Sequence, residues 1–260
     1  MAEALEAPFV APRTLKSDHG PCEHRRRQRR PEMLSELLNS DFSQRVVIAT
    51  NGLPWIPSPQ AGVERRPLDR IGSEVARATS LVRYAPRSAF PPHDHALGEE
   101  FLVLDGIFSD EHGDYAAGTY VRNPPGSHHS PRTAPGCIIF VKLRQMARTE
   151  QQRLVMDTTT ADWDQGEVEG HTRLGLYAAS QNVERVTMER LRAGAILPVM
   201  DCPGGEEIFV LSGDLADEQG AYGSGTWIRN PAGYRRSLKS KGGVTYWAKR
   251  GHLPAAASDA

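Results

Sequence analysis

His93 and His95 stand one residue apart, Glu99 follows four residues later, and Gly106 closes the stretch HDHALGEEFLVLDG. Further along, GTYVRNPPGSHH sets Pro124, Gly126 and His129 behind Gly118. Three imidazoles and one carboxylate from two pieces of chain are a donor set for a divalent first-row metal. Iron and zinc stand foremost, with manganese, nickel and cobalt also compatible. On an octahedral ion these four ligands leave two positions for water, substrate or O₂, whereas on tetrahedral zinc the same set is closed and structural. An isolated HxH pair on a surface is usually nothing. The spaced glutamate, the glycine seven residues later and the PxGxxH block make it a site. His128 neighbours the last ligand, but the PxGxxH count falls on His129.

Strands are the elements that must hold these groups. TSLVRYAP, EEFLVLDG, GTYVRNP and CIIFVKL are short runs rich in β-branched and aromatic residues, bounded by Gly, Pro, Asp and Asn. Side chains alternate faces along a strand. His93, His95, Glu99, Phe101 and Val103 share parity, so continuous pairing from 93 to 103 points them together into a barrel. Phe101, Val103, Ile139 and Val141 then wall the metal, and Glu100, Leu102 and Leu104 face the other way. This favours Glu99 over Glu100 as the carboxylate, although a bulge at Leu97–Gly98 reverses the choice. Tyr84, Arg83, Tyr120 and Lys142 are candidates to line or brace the pocket. The only helix candidates are short, near 33–39 and 146–154.

The segment 90–130 lies without gaps over 197–237, with 19 of 41 positions identical. At this constant offset of 107 the chain holds two copies of one module. The division expected is an extension over 1–32, a metal-binding module over 33–150 and a degenerate module over 151–260. In the second copy Met200, Cys202, Glu206 and Arg236 replace His93, His95, Glu99 and His129. An arginine brings a permanent charge to a ligand position. The expectation is an Arg236–Glu206 ion pair in place of a metal, with Cys202 a minor candidate for a redox-sensitive thiol.

The 260 residues carry a net charge of −1, so no global field draws the chain to nucleic acid or to a membrane surface. Three cysteines, far apart, form neither a disulfide framework nor a CxxC zinc pattern. No apolar run approaches the ~20 residues that span a bilayer. With no export signal either, the expectation is a cytoplasmic protein. Residues 1–32 are polar and end in the basic run Arg25–Arg30, without aromatics for base stacking. They read as a disordered extension. His19, Cys22 and His24 within it lack a fourth ligand, and Met33 is a candidate natural start.

The two blocks resemble the signature motifs of the cupin superfamily, G(X)5HXH(X)3–4E(X)6G and G(X)5PXG(X)2H(X)3N. The stretch GEEFLVLDGIFSDEHGDYAAGTYVRNPPGSHH with GCIIFVKL resembles the ChrR-like cupins, a group named after an anti-sigma factor responding to singlet oxygen. It is also similar to small dioxygenases that cleave β-diketones. The resemblance covers about residues 40–255. It implies two jelly-roll β-barrels in tandem, an all-β bicupin, with His93, His95, Glu99 and His129 as metal ligands. Arg87 and Thr133 stand where the motifs have a leading glycine and a closing asparagine. Residues 1–40 lack the helical zinc domain of the anti-sigma factor, which argues against a direct sigma-factor clamp.

Three functions follow from this reading. The first is a metal-dependent oxygenase acting on a small carbonyl or enol-type molecule, with Glu99 able to act as base. The second is a metal-bound stress sensor without catalysis, and the third a closed structural zinc site. A small-molecule substrate is the expected partner, and a homodimer is an open option, although two barrels already linked in one chain can serve as a pseudo-dimer.

Overall fold

The computed structural model describes residues 36–73, 75–179 and 184–254. Among them there is one short 3₁₀ turn, Thr50–Gly52, and otherwise strands and loops. Among the described residues no helix is long and apolar enough to cross a membrane. Each repeat folds as a jelly-roll barrel, so the all-β, two-barrel expectation holds. The expected extension over 1–32 lies outside the described residues.

The main sheet of the first barrel runs Leu37–Leu38, Val63–Ile71, Arg77–Tyr84, Cys137–Leu143, Glu99–Asp110, Thr119–Asn123 and Leu154–Asp157. A small sheet pairs His93–His95 with Ser127–His129, setting His93 opposite His129 and His95 opposite Ser127. The second barrel repeats the plan. Its main sheet runs Asp164–Gln165, His171–Ala178, Arg185–Leu191, Val244–Arg250, Glu206–Ala216, Thr226–Asn230 and Val46–Ala49, and Met200–Cys202 pairs with Tyr234–Arg236.

The edge strands are exchanged between the barrels. Val46–Ala49, before the first barrel, pairs with Thr226–Arg229 of the second. Leu154–Asp157, before the second barrel, pairs with Thr119–Arg122 of the first. Each barrel thus covers an otherwise open edge of the other. Neither expected helix forms among the described residues; residues 33–35 of the first lie outside them. Leu37–Leu38 pair with Arg70 and Ile71 as a strand. Residues 146–153 are turns and irregular chain, an extended crossing that delivers Leu154–Asp157 to the neighbouring sheet, which a helix would shorten.

Glu99–Leu102 are buried on both faces because the strand lies between two cores. Odd-numbered Phe101, Val103, Val121, Ile139 and Val141 fill the first barrel. Even-numbered Leu102, Tyr120 and Phe140 meet Phe209, Trp227 and Trp247 in a shared core between the barrels, with Phe140 stacked on Phe209 at 4.8 Å. Two reciprocal ion pairs cross this core: Lys142 Nζ donates to Glu207 Oε2 at 2.7 Å, and Lys249 Nζ donates to Glu100 Oε1. Burial alone would raise Glu100, but Lys249 and Arg122 bring its carboxyl down to about 2. Buried ions on this scale are tolerated only when paired.

Two motif positions explain themselves in the backbone. At Gly106 (φ 72°) a Cβ would lie 2.0 Å from Gly136 O, so no side chain fits. Arg87, in place of the motif's leading glycine, keeps the left-handed conformation (φ 61°) that its counterpart Gly194 adopts without strain. The Oγ1 of Thr133, in place of the closing asparagine, donates to Ile107 O and accepts from Gly136 N–H.

His252 Nε2–H donates to Glu207 Oε1 at 2.9 Å beneath the same interface. Burial pushes this imidazole down to about 4, although Glu207 pulls the other way. An unfolded histidine titrates near 6.5. The unfolded chain therefore binds the extra proton first, and the stability present above pH ~6.5 is lost as pH falls toward 4. Between pH 7 and 4.5 this group alone should remove about 2–3 kcal/mol. Urea unfolding of His252→Gln across that range should show a correspondingly flatter curve than the native chain.

Candidate metal centre

The four residues singled out in the sequence come together at the mouth of the first barrel. One donor atom from each of His93, His95, Glu99 and His129 lies within 4.8 Å of all the others. Among the described residues this is the one group of three or more such side chains able to hold a metal ion. Pairing from 93 to 103 is not continuous, because a turn, with Gly98 N–H donating to His95 O at 3.2 Å, separates the two histidines from the main strand. Glu99 still faces inward, and Glu100 faces the other barrel. His128 is exposed.

Outer hydrogen bonds set the tautomer of each imidazole. His93 Nδ1–H donates to Pro91 O at 2.9 Å. His129 Nδ1–H donates to Asp110 Oδ2 at 3.3 Å. His95 Nδ1 lies 3.1 Å from Ser127 Oγ, whose own proton goes to Pro124 O at 2.6 Å, so His95 must be the donor. With every Nδ1 carrying the proton, the Nε2 lone pairs point inward. His95 Nε2 and His129 Nε2 are buried and have no hydrogen-bond partner. They face Glu99 Oε2 at 3.5 and 3.4 Å. Unprotonated nitrogens and a carboxylate gathered this closely repel one another unless a cation lies among them. The donor set therefore fits a divalent metal.

Electrostatics and packing support the same geometry. Burial keeps the His95 imidazole below its ordinary range despite Glu99. Burial also opposes a charge on His129, but the Asp110 hydrogen bond and Glu99 outweigh it and raise that imidazole. Asn123 Nδ2 donates to Glu99 Oε2 at 3.3 Å. The Phe108 ring lies 5.8 Å from His129 and 4.7 Å from Phe101, on the apolar side of the site. His93 is only half-buried and marks the entrance.

Phe101, Val103, Ile139 and Val141 line this barrel as expected, and of the four candidates to line or brace the pocket only Tyr84 joins them. Lys142 and Tyr120 belong to the inter-barrel core, and Arg83 pairs with Glu64 at 2.9 Å. Tyr120 and Lys142 project from their strands to the side that the second barrel covers, and Arg83 lies on the outer face of its strand. Asp110 and Ser127 were missed, since nothing in their local spacing marks them.

The second barrel supplies its own cation. Arg236 Nε donates to Glu206 Oε2 at 2.9 Å and its Nη2 to Oε1, as expected. Arg250 Nε adds a bond to Glu206 Oε1 at 2.7 Å, and its Nη1 bonds Glu189 Oε1 at 2.6 Å. Burial would raise Glu206, yet Arg236 and Arg250 hold it below the usual carboxylate range. Cys202 is not an activated thiol, because burial pushes it up to about 11 in spite of Arg236.

Metal content by elemental analysis separates these roles. His95→Ala should abolish binding. Asp110→Asn should weaken it about 10–100-fold by loosening His129. Cys202→Ala should leave it unchanged.

Comparisons with known proteins agree with this architecture. The family described as the ChrR cupin-like domain matches residues 43–147 and again 151–254. No curated protein matches the chain. A Nostoc punctiforme protein provisionally assigned as a dioxygenase superposes with a TM-score of 0.68 at 14% identity, covering 84% of this chain and 85% of its own. Escherichia coli YlbA gives 0.64 at 14% identity, over 82% and 93%. A variant of Bacillus subtilis oxalate decarboxylase gives 0.55 at 12% identity, over 80% and 78%. At these identities the structural likeness shows a shared fold. With both halves matched by the same family, the chain belongs to the ChrR cupin-like proteins and carries two copies of their domain.

Proposed function

We propose that the first barrel binds a divalent metal, iron foremost, through His93, His95, Glu99 and His129, and oxygenates a small enolisable carbonyl compound. The observation that carries this reading is the set of inward-facing Nε2 lone pairs around Glu99, backed by an apolar wall and open at His93. Bound Fe(II) would supply Lewis acidity toward the substrate oxygens and electrons toward O₂, with two of six positions left by the protein.

The chain's own residues have definable tasks in this reading. Glu99, held by Asn123, accepts the proton from the carbon between two carbonyl groups as the enolate forms. Tyr84 keeps its phenol proton, because burial and the Glu99 charge raise it, and can donate to an enolate oxygen. Phe101, Val103, Ile139 and Val141 exclude water from the reactive carbanion. With a 1,3-diketone the bond between the central carbon and one carbonyl carbon breaks, and one atom of O₂ goes to each fragment, giving a carboxylic acid and an α-keto aldehyde. No external reductant is needed.

Oxygen uptake by iron-loaded protein on a 1,3-diketone panel beginning with pentane-2,4-dione tests the reading. One O₂ should be consumed per diketone, and Tyr84→Phe should lower kcat about tenfold or more while keeping its iron. Stoichiometric zinc inert toward every diketone would overturn it in favour of a non-catalytic site, the metal-bound sensor or the closed structural zinc.

A further inference from the structure

Between the barrels lies a cleft of about 360 Å³, away from the histidines. That volume is at the small end of the roughly 300–1,000 Å³ typical of ligand sites. Its walls include Leu104, Ile138, Met188 and Phe209, with Trp55 and Arg66 also lining it. The Arg66 guanidinium lies 4.3 Å from the Trp55 ring centroid. Its buried Nε–H has no acceptor, and no acidic side chain among the described residues forms an ion pair with it. Arg83 stacks on the same ring at 4.5 Å but is neutralised by Glu64. Burial and the neighbouring Arg83 both depress Arg66, and among the described residues the Trp55 ring is the one side chain recorded against its guanidinium.

The second half of the molecule shows what the fold itself needs here. Trp163 carries Arg190 at 3.7 Å, as Trp55 carries Arg83. Opposite Met188 stands Leu174, as Arg66 stands opposite Leu81. Leu174 is 5% exposed and sits in the inter-barrel core. An apolar residue therefore serves the architecture at that position, and the ring already has its stacking cation. Arg66 is an addition to one side only, and that side has the cleft.

We propose that this cleft binds a small amphipathic carboxylate, its carboxylate on Arg66 and its hydrocarbon body against Leu104, Met188 and Phe209. A guanidinium over an aromatic ring offers charge-assisted hydrogen bonds to such a group, and the apolar wall recovers the hydrophobic contribution of the tail. The ligand would lie against Leu102 and Leu104 of the strand that begins with Glu99, yet outside the metal barrel.

Titration calorimetry of the full chain with octanoate, and with 1-octanol as its uncharged analogue, tests this assignment. Octanoate should bind at one site per chain, at least tenfold more tightly than 1-octanol. Arg66→Leu, which copies the second half, should weaken octanoate at least tenfold with little effect on 1-octanol, and Arg66→Gln should do the same. Leu104→Trp should fill the cleft and remove both. His95→Ala should leave octanoate binding intact, separating this site from the metal. Absence of saturable octanoate binding, equal affinity for octanol, unchanged affinity in both Arg66 variants, or loss in His95→Ala would each overturn the proposal.

Discussion

A carboxylate inside a β-barrel has to be met by positive charge, since the desolvation of an isolated buried anion costs far more than a domain's net stability. Glu99 and Glu206 occupy the same place in the two barrels, each at the start of the central strand and each touched by an asparagine amide. Around Glu206 the chain provides Arg236 and Arg250. Around Glu99 it provides three imidazoles whose protons have all been directed outward. The first arrangement is complete in itself, and the second calls for a cation from solution. Much of what differs between the two barrels follows from how this single charge is balanced.

The interiors differ accordingly. Val63, Val82, Ile139 and Leu143 of the first barrel correspond in register to His171, Glu189, Tyr246 and Arg250 of the second. In the second barrel Glu189 takes hydrogen bonds from Tyr246, Arg250 and Thr187, extending the ionic network through the space that is apolar in the first. An ionic lattice there leaves little room for a substrate, whereas an apolar wall strengthens the electrostatics of a nearby metal and keeps water away. Joined by exchanged edge strands, a shared aromatic core and two crossed Lys–Glu pairs, the barrels form one structural unit. The second can thus buttress the first without chemistry of its own.

The HxH…E and PxGxxH spacing made the four donor residues legible from sequence, and the 107-residue offset did the same for the Arg236–Glu206 pair. Parity from Glu99 along its own strand separates Glu99 from Glu100, although the pairing does not run unbroken from His93. These depend on spacing, on local alternation and on comparing two copies, all of which are written along the chain. The roles of Lys142 and Tyr120 were not legible, because parity places them outside the first barrel but cannot say that another barrel lies there. Asp110 was hidden for a related reason: it reaches His129 across 19 residues through a fold-dependent approach. The Arg250–Glu189 network did carry a signal. Extending the repeat comparison beyond 90–130 would have shown inward-facing charged residues opposite Val82 and Leu143.

Anomalous diffraction at metal absorption edges, from crystals of protein purified without added metal, tests most directly whether the two barrels balance their buried carboxylates in different ways. One peak per chain is expected, bonded to the Nε2 atoms of His93, His95 and His129 and to Glu99, with only the Arg236 guanidinium beside Glu206. A peak at Met200 and Cys202, or an empty first site with the three imidazoles turned away from Glu99, would contradict the account.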